Sequence, residues 1–428
     1  MPNWLEWKGE KEWKLQVKKA FQTADKAEGL SLYVHLPYCE ALCTYCGCNK
    51  KITTNHAVES PYINGLLREW KQYVQLFEGR PIIRELHFGG GTPTFFAPAE
   101  LRRLVVGLFA LADLHPEAGM SFEGHPNNTT TEHLKVLHAL GFNRVSYGVQ
   151  DLDPEVQRLI NRVQPFEKVA EATRVSRETG FTSVNFDLVY GLPMQTADRL
   201  QNTISQVLTL RPDRVAFYGY AHVPWKSKAQ RLYDERHLPS PAERMELYLQ
   251  GRKQFLEAGY VDVGMDHFAL PQDELALAAA AGKLHRNFMG YTTSNSSLLI
   301  GLGASSISDI GTAYAQNSKE IVSWQRAVDQ GHLATDKGLI LSKEDLQRRR
   351  LIMDLSCKGE VHIPACWHFT TAQNELLQQL QADGILEKNG FWLKLEPEGK
   401  IFTRNACSLF DAYLQAPDPA VKRFSQAV

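Results

Sequence analysis

The segment Ser31-Leu-Tyr-Val-His-Leu36 is followed, three positions later, by Cys39-Glu-Ala-Leu-Cys43-Thr-Tyr-Cys46-Gly-Cys48. The short apolar run predicts a buried β-strand, and the cysteines come directly after it. A disulfide framework would spread its cysteines along a small secreted chain. Four cysteines within ten residues therefore predict a metal site at the end of the first strand.

The C-x₃-C-x₂-C spacing of these cysteines indicates which metal they bind. Structural zinc sites pair two C-x₂-C knuckles, or one knuckle with two histidines. This sequence has no second knuckle, and His35 and His56 are not spaced as a zinc pair. Three thiolates bind three irons of a [4Fe–4S] cluster and leave the fourth open, as a catalytic site requires. We favour the cluster, with zinc and a redox-active thiol set as the alternatives.

Apolar β-branched runs alternate with helical periodicity through the first half of the chain. Six β/α units in a row predict a parallel sheet with right-handed crossovers. Six units are fewer than the eight of a full barrel. The predicted fold class is therefore α/β, a partial (β/α)6 TIM-like barrel that binds ligands at the carboxyl ends of its strands. The predicted strands are 31–36, 82–88, 120–125, 144–149, 183–189 and 214–220, and helices are predicted at 131–140, 154–161, 166–179 and 196–209.

The rest of the chain has a different pattern. A helix is predicted near 241–258, and Ser342 with Asp345 forms a helix-start box. A helix over 371–381 and a hairpin around Asn389-Gly390 then predict a small C-terminal helical, winged-helix-like domain. The predicted domains are an N-terminal helical segment (1–30), the barrel (31–225), a barrel extension with substrate-side elements (226–335) and the C-terminal domain (336–428).

Charge and hydropathy exclude several functional classes. The 428 residues carry 47 Lys and Arg against 48 Asp and Glu, so there is no global basic field for nucleic acid. The start Met1-Pro2-Asn3-Trp4 has no apolar signal region, and no uncharged apolar run approaches the ~20 residues that span a bilayer. We expect a cytoplasmic protein that binds neither nucleic acid nor a membrane.

The cysteine segment carries a family resemblance in its extended form, Tyr33-Val-His-Leu-Pro-Tyr-Cys39 … Cys46-Gly-Cys48-Asn49-Lys50. The C-x₃-C-x₂-C core resembles the radical S-adenosylmethionine superfamily, and the extended form is similar to the oxygen-independent coproporphyrinogen III oxidases. The resemblance runs from about Ser31 to Tyr413. Its further motifs are His87-Phe-Gly-Gly-Gly-Thr-Pro-Thr94, Tyr147-Gly-Val-Gln-Asp151, Asn161-Arg162, Asp187-Leu-Val-Tyr-Gly-Leu-Pro193, Tyr220-Ala-His-Val-Pro224, Gly264-Met-Asp-His-Phe268 and His285-Arg-Asn-Phe-Met-Gly-Tyr291.

The resemblance implies anaerobic oxidative decarboxylation of two propionates of coproporphyrinogen III, giving protoporphyrinogen IX in haem biosynthesis. It implies one [4Fe–4S] cluster, two S-adenosylmethionine molecules and a one-electron donor such as flavodoxin or ferredoxin, and we expect a monomer. A haem-binding trafficking protein of the same superfamily is one alternative, although such proteins lack the Cys46-Gly-Cys48-Asn49 ending. A radical enzyme acting on haem is another.

The resemblance also assigns site residues. Cys39, Cys43 and Cys46 would hold the cluster, with Cys48 beside it as a non-ligand. From the residues alone, each polar member of the two cofactor sites has a structural alternative, such as a buried ion pair or a surface arginine. The first S-adenosylmethionine would meet Tyr33, Gly90, Glu123 and Ile307. The second would meet Tyr45, Gly91, Thr92, Gln150, Arg162, Asp187 and Ala221.

Substrate contacts rest on weaker signals. The four propionates of the substrate call for cationic and hydrogen-bonding partners, and the candidates are His222, His267, His285 and Arg286. The third strand reads Glu123-Gly-His-Pro126, where relatives carry Glu-Val-Asp-Pro. The family's usual Gly-Pro-Arg-Tyr-Thr-Ser-Tyr-Pro-Thr segment is absent from the sequence, so we expect cleavage of S-adenosylmethionine to run ahead of product formation.

Overall fold

The computed structural model describes Trp4 and residues 7–414. Its strands, in chain order, are β1 (Leu30–Leu36), β2 (Tyr38–Cys39), β3 (Lys51–Ile52), β4 (Ile82–Gly90), β5 (Asp113–Gly124), β6 (Arg144–Gln150), β7 (Ser183–Tyr190), β8 (Arg214–Gly219), β9 (Val261–Gly264), β10 (His267–Ala269), β11 (His285–Asn287), β12 (Gly290–Thr292), β13 (Leu299–Leu302), β14 (Ile307–Asp309), β15 (Ala313–Asn317), β16 (Thr335–Ile340), β17 (Glu360–His362), β18 (Leu386–Asn389) and β19 (Trp392–Leu395).

The α-helices are α1 (Gly9–Thr23), α2 (Glu59–Val74), α3 (Pro98–Phe109), α4 (Thr131–Ala139), α5 (Pro154–Leu159), α6 (Phe166–Thr179), α7 (Ala197–Thr209), α8 (Pro241–Glu257), α9 (Glu274–Ala280), α10 (Ile321–Asp329), α11 (Lys343–Lys358), α12 (Thr371–Ala382) and α13 (Thr403–Ser408). Within the described residues, no helix is both long enough and apolar enough to cross a membrane.

The chain folds into two compact units. The larger comprises the described residues up to Gly259 together with Ser296–Leu339, and the smaller comprises Tyr260–Asn295 together with those from Ile340 onward. The predicted four-part division at 30, 225 and 335 stays a prediction.

The larger unit is built on one twisted sheet whose strands follow the order β16-β15-β14-β13-β1-β4-β5-β6-β7-β8. Strands β1 and β4 to β8 pair in parallel, each with the next. Six of the seven residues of β1 are buried, as expected for a parallel strand covered on both faces. The predicted α/β fold class and the six predicted strands are therefore confirmed.

Two parts of this sheet differ from the sequence prediction. Strand β5 begins at Asp113, seven residues before the predicted start, because its exposed first half pairs with Ile82 and Ile83 of β4. Strand β13 lies within the Gly- and Ser-rich stretch 290–311 and pairs with β1 as a seventh parallel strand. Hydrogen bonds to another strand create both features, so the periodicity of the segment itself does not reveal them.

The smaller unit carries the predicted C-terminal elements. Ser342 caps α11 through a box with Asp345, and β18 and β19 form an antiparallel pair across the Asn389-Gly390 turn. Strand β17 adds to the other side of β19. Buried Leu355, Leu380 and Leu393 belong to one hydrophobic cluster within this unit.

Candidate active site

The cysteine segment forms a closed loop at the carboxyl end of β1. Strand β2 contains Cys39 and pairs in parallel with β3, whose Ile52 lies opposite Cys39. The amide of Thr53 donates to the carbonyl of Cys39 at 2.9 Å. The ends of the loop are therefore held together, and Cys43, Cys46 and Cys48 lie between them.

A second set of contacts attaches this loop to the end of α5. The amide and hydroxyl of Thr44 donate to the carbonyls of Ile160 and Leu159, each at 3.0 Å. Asn161 donates through Nδ2 to the carbonyl of Leu42 at 2.8 Å. Helix ends leave carbonyls without intrahelical partners, and here the cysteine loop supplies donors to them.

The thiols differ in their electrostatic surroundings. Burial raises the pKa of Cys39 to about 11, against a hydrogen bond from the Thr92 hydroxyl to its sulfur at 3.3 Å. A hydrogen bond with Cys48, helped by the charge of Lys50, outweighs burial and lowers the pKa of Cys46 to about 6. The same contact raises the pKa of Cys48 well above its usual range. Of this pair, Cys46 is the more acidic thiol. Metal binding requires thiolates and releases their protons, also from a thiol of raised pKa such as Cys39.

Among the described residues, no group of three His, Cys, Asp or Glu side chains is arranged to hold a metal ion. The donor set nevertheless has the chemistry of the predicted cluster. Cys39 interacts electrostatically with both Cys43 and Cys46, so the three thiols share one neighbourhood. Soft thiolates are the ligands of [4Fe–4S] clusters, so the residues present suit that group.

The first predicted cofactor site lies on three neighbouring strands. The carboxylate of Glu123 on β5 accepts a hydrogen bond from the amide of Gly90 at 3.1 Å and lies 3.4 Å from Nε2 of His87. Burial would raise the pKa of Glu123, but the contacts with His87 and Gly90 outweigh burial and lower it. Tyr33 on β1 stacks against His87 with ring centroids 6.0 Å apart.

His35 links this site to the cysteine loop, and sequence reasoning gave it no functional part. Its ring is buried, with Nδ1 3.1 Å from the Tyr33 hydroxyl and Nε2 2.9 Å from the carbonyl of Asn49. Gly90 has φ +122°, and a Cβ there would lie 2.8 Å from the His35 ring. The alternation of Tyr33 and His35 on one face of β1 was the available signal.

The second predicted site gathers polar groups at the ends of β6 and β7. Arg162 donates through Nη2 to the carbonyl of Gly148 at 2.5 Å, and its Nη1 lies 3.6 Å from the sulfur of Cys43. Its Nε is buried without a hydrogen-bond partner, as expected beside a site that accepts a polar ligand. Burial raises the pKa of Asp187 to about 7, although hydrogen bonds from Ser146 and Asn185 act to lower it.

The remaining predicted cofactor residues also lie in the larger unit. Gln230 donates to the carbonyls of Tyr45 at 2.8 Å and Ala221 at 3.1 Å, which brings those two residues together. The amide of Gly91 donates to Leu36. Gln150 ends β6, and Ile307 begins β14.

The substrate candidates fall in both units. In the larger unit, His222 bridges the Tyr220 hydroxyl at 3.1 Å and the Glu235 carboxylate at 3.0 Å. The smaller unit holds His267 on β10 and both His285 and Arg286 on β11. The Arg286 guanidinium lies over the Tyr291 ring at 4.7 Å, with Nη1 buried and without a hydrogen-bond partner.

The chain is similar to known proteins over most of its length. The model of the radical SAM superfamily matches residues 33–207. The chain is 39% identical over 409 residues to the oxygen-independent coproporphyrinogen III oxidase of Pseudomonas aeruginosa, covering 93% of this chain and 88% of that protein. It is 40% identical over 407 residues to the protein of the same name from Escherichia coli K12, covering 93% and 89%.

A solved structure is similar over nearly the whole length. The coproporphyrinogen III oxidase of Escherichia coli, described as a radical SAM enzyme, superimposes with a TM-score of 0.89 at 38% identity. The match covers 95% of this chain and 94% of that one.

Proposed function

The chain belongs to the oxygen-independent coproporphyrinogen III oxidases, a family of radical SAM enzymes of haem biosynthesis, and we propose that it converts two propionates of coproporphyrinogen III to vinyl groups, giving protoporphyrinogen IX. The convergence of the three-thiol loop with Glu123 and Gly90 carries the proposal. These groups lie at the carboxyl ends of parallel strands, where α/β folds bind ligands.

A [4Fe–4S] cluster and S-adenosylmethionine are the cofactors of this family. Cys39, Cys43 and Cys46 would hold the cluster, with Cys48 beside it as a thiol that does not bind iron. When bound, the reduced cluster and S-adenosylmethionine would supply a 5′-deoxyadenosyl radical for removing a β-hydrogen from a propionate. Loss of CO₂ would then release one electron, which an external electron acceptor would take up.

The chain's own groups bind and orient the cofactors. The lowered pKa of Glu123 keeps its carboxylate charged toward an amino group, with the Gly90 amide fixing its orientation. Two radicals are needed for two propionates, so we infer a second S-adenosylmethionine at Gln150, Arg162 and Asp187. The unpartnered Nε of Arg162 supports that assignment. Tyr33 and Ile307 would complete the first site, with Tyr45, Gly91, Thr92 and Ala221 completing the second.

The partners follow from this chemistry. We propose a cytoplasmic monomer that receives electrons from a small carrier such as flavodoxin or ferredoxin. All seven cysteines are free thiols, which suits a reducing compartment. His222, His267, His285 and Arg286 are proposed to meet the propionates, which need cationic and hydrogen-bonding partners.

An anaerobic turnover assay tests the proposed function. Reconstituted protein receives coproporphyrinogen III, S-adenosylmethionine and a chemical reductant, and chromatography quantifies tetrapyrroles and 5′-deoxyadenosine. Protoporphyrinogen IX should form with the wild-type chain and not with Cys46→Ala. Tight haem binding without decarboxylation would indicate a trafficking protein, and conversion of added haem would indicate a haem-modifying enzyme. Either result would contradict the proposal.

A further inference from the structure

The end of β6 contains a strained turn at Gln150. Gln150 has φ +66°, and the amide of Asp151 donates to the carbonyl of Val149 at 2.8 Å. This i to i+2 hydrogen bond around a residue with positive φ is a γ-turn of the rare and strained kind. Strained backbone persists only where its surroundings hold it in place. The contacts of Asp151, the residue that closes the turn, can therefore hold it in place.

The carboxylate of Asp151 is the centre of those contacts. Its side chain is completely buried and accepts three hydrogen bonds. Oδ1 accepts from the amide of Asp153 at 2.7 Å and from the hydroxyl of Thr203 at 2.9 Å. Oδ2 accepts from Nε2 of Gln195 at 2.6 Å. A buried carboxylate with three donors fixes the backbone that carries it.

Gln195 extends this connection to the loop after β7. Its Oε1 accepts from the amides of Gly191 at 2.6 Å and Leu192 at 3.3 Å. Its Nε2 also donates to the carbonyl of Val189 at 3.0 Å. One amide–carboxylate contact between Gln195 and Asp151 thus joins the ends of β6 and β7, the two strands that carry Gln150 and Asp187.

On its other side, the same turn is joined to Arg162. Gln164 is buried and donates to the carbonyls of Val149 at 2.6 Å and Gly148 at 3.2 Å. Arg162 donates to that same Gly148 carbonyl. A Cβ on Gly148 would lie 2.5 Å from Nε2 of Gln150 and 2.9 Å from Nη2 of Arg162, so both polar ends lie over this glycine.

We propose that Asp151, held by Thr203 and Gln195, is a positioning residue that keeps Gln150 in its γ-turn and so aligned with Arg162 for the second S-adenosylmethionine. The inference rests on the proposed function, because the second cofactor site is part of it. Asp151 acts through the backbone of the turn: its own carboxylate oxygens are occupied by protein donors.

The test removes the hydroxyl of Thr203 and compares that variant with the same change at another buried threonine. Thr203→Val deletes both the donor to Asp151 and the acceptor of the Leu152 amide (3.2 Å), whereas Thr203→Ser keeps both. Faster exchange in Thr203→Val therefore counts for the inference only when Asp151→Asn, which leaves the Thr203 hydroxyl in place, shows it too. The control is Thr173→Val on α6, where the hydroxyl is equally buried and donates only within its own helix, to Val169 at 2.8 Å. Asp151→Asn is a second variant, which keeps the shape and leaves one fewer acceptor oxygen for Thr203 and Gln195.

Two measurements use the reconstituted full chain. Amide hydrogen exchange without S-adenosylmethionine follows the peptide around 144–153, and equilibrium dialysis counts bound S-adenosylmethionine and gives each Kd. Thr203→Val and Asp151→Asn should speed exchange in that peptide and weaken the second binding event about tenfold, the equivalent of one hydrogen bond to a charged group. Iron content and the first binding event should not change. Thr203→Ser and Thr173→Val should match wild type.

The outcomes separate this inference from the proposed function. If Thr203→Val and Asp151→Asn exchange no faster than Thr173→Val, the turn does not depend on Asp151 and the inference is wrong. Faster exchange with unchanged second binding also overturns the positioning role. If wild type binds only one S-adenosylmethionine, the assignment of the second site fails first and the inference fails with it.

Discussion

The guanidinium of Arg162 lies with Nη1 3.6 Å from the sulfur of Cys43, although 119 positions separate the two residues in sequence. Burial would lower the pKa of Arg162, but the charges of Tyr45 and Cys43 outweigh burial and raise it. Arg162 also donates a hydrogen bond to the carbonyl of Gly148 near the end of β6. The proposed cluster ligands and the proposed second S-adenosylmethionine site are therefore adjacent. A substitution at one can be tested for its effect on the other.

The first prediction concerns the cluster ligands. Cys39→Ala, Cys43→Ala and Cys46→Ala should each abolish the binding of about four iron and four sulfide per chain, because three thiolates are needed to hold the cluster. Cys48→Ala should retain the cluster. Iron and sulfide analysis after anaerobic reconstitution measures this, with exposed Cys366→Ala as the control. If Cys48→Ala loses iron as completely as Cys43→Ala, the three-ligand assignment is wrong.

The second prediction concerns the first S-adenosylmethionine. Glu123→Gln keeps the shape of the side chain but removes the charge that the Gly90 amide and His87 stabilise. Hydrogen bonds to charged groups contribute about 1.5–3 kcal/mol, so cleavage to 5′-deoxyadenosine should slow about tenfold or more at limiting S-adenosylmethionine. Iron content should stay at the wild-type value. Exposed Glu117→Gln is the control, and equal rates for Glu123→Gln and wild type would refute the assignment.

The third prediction concerns the space above Gly148. Gly148→Ala would bring a methyl group to 2.5 Å from Nε2 of Gln150 and 2.9 Å from Nη2 of Arg162, so both side chains must move. Overpacking of this kind costs about 1–3 kcal/mol. The variant should bind its cluster normally and bind the second S-adenosylmethionine more weakly. Gly119→Ala on β5 is the control, because the atoms nearest to the methyl group there belong to the end of the flexible Arg144 side chain, the first at 3.1 Å. Equal second binding by Gly148→Ala and Gly119→Ala would count against the site.

The fourth prediction concerns pH and the buried carboxyl of Glu69. It accepts from the amide of Gly303 at 2.8 Å, from Asn317 at 2.6 Å and from Trp324 at 3.0 Å, while burial raises its pKa from 4.5 to about 7. The folded chain then binds more protons than the unfolded chain between these pH values. The stability contributed by Glu69 is therefore present at low pH and is lost as pH rises through that window.

Urea denaturation between about pH 5 and 8 measures this effect. The free energy of unfolding of wild type relative to Glu69→Gln should fall by up to about 3 kcal/mol as pH rises, since each pKa unit is worth about 1.4 kcal/mol. Exposed Glu171→Gln should show no such slope relative to wild type. A wild-type minus Glu69→Gln difference that is constant with pH would mean that the three donors keep Glu69 ionised throughout.

Much of the fold could be predicted from local pattern. Strand β6 lies within one residue of its predicted bounds, and α6 lies over the predicted 166–179. Apolar periodicity, helix caps and turns depend on residues that are close together in the chain, so a single sequence reveals them. The long first half of β5 and the pairing of β13 with β1 could not be predicted, because hydrogen bonds to another strand define each of them.

Local sequence was enough to indicate the kind of chemistry. Four cysteines in ten residues after a predicted buried strand indicate an iron–sulfur site, and the ordered motifs indicate the family. Which polar groups contact one another depends on the folded chain. It brings Arg162 to Cys43, His35 between Tyr33 and Asn49, and Gln195 to Asp151. The physical reason is that a carboxylate or guanidinium cannot be buried without partners. Those partners come from whichever strand ends and loops the parallel sheet places side by side, and spacing along the chain does not encode that.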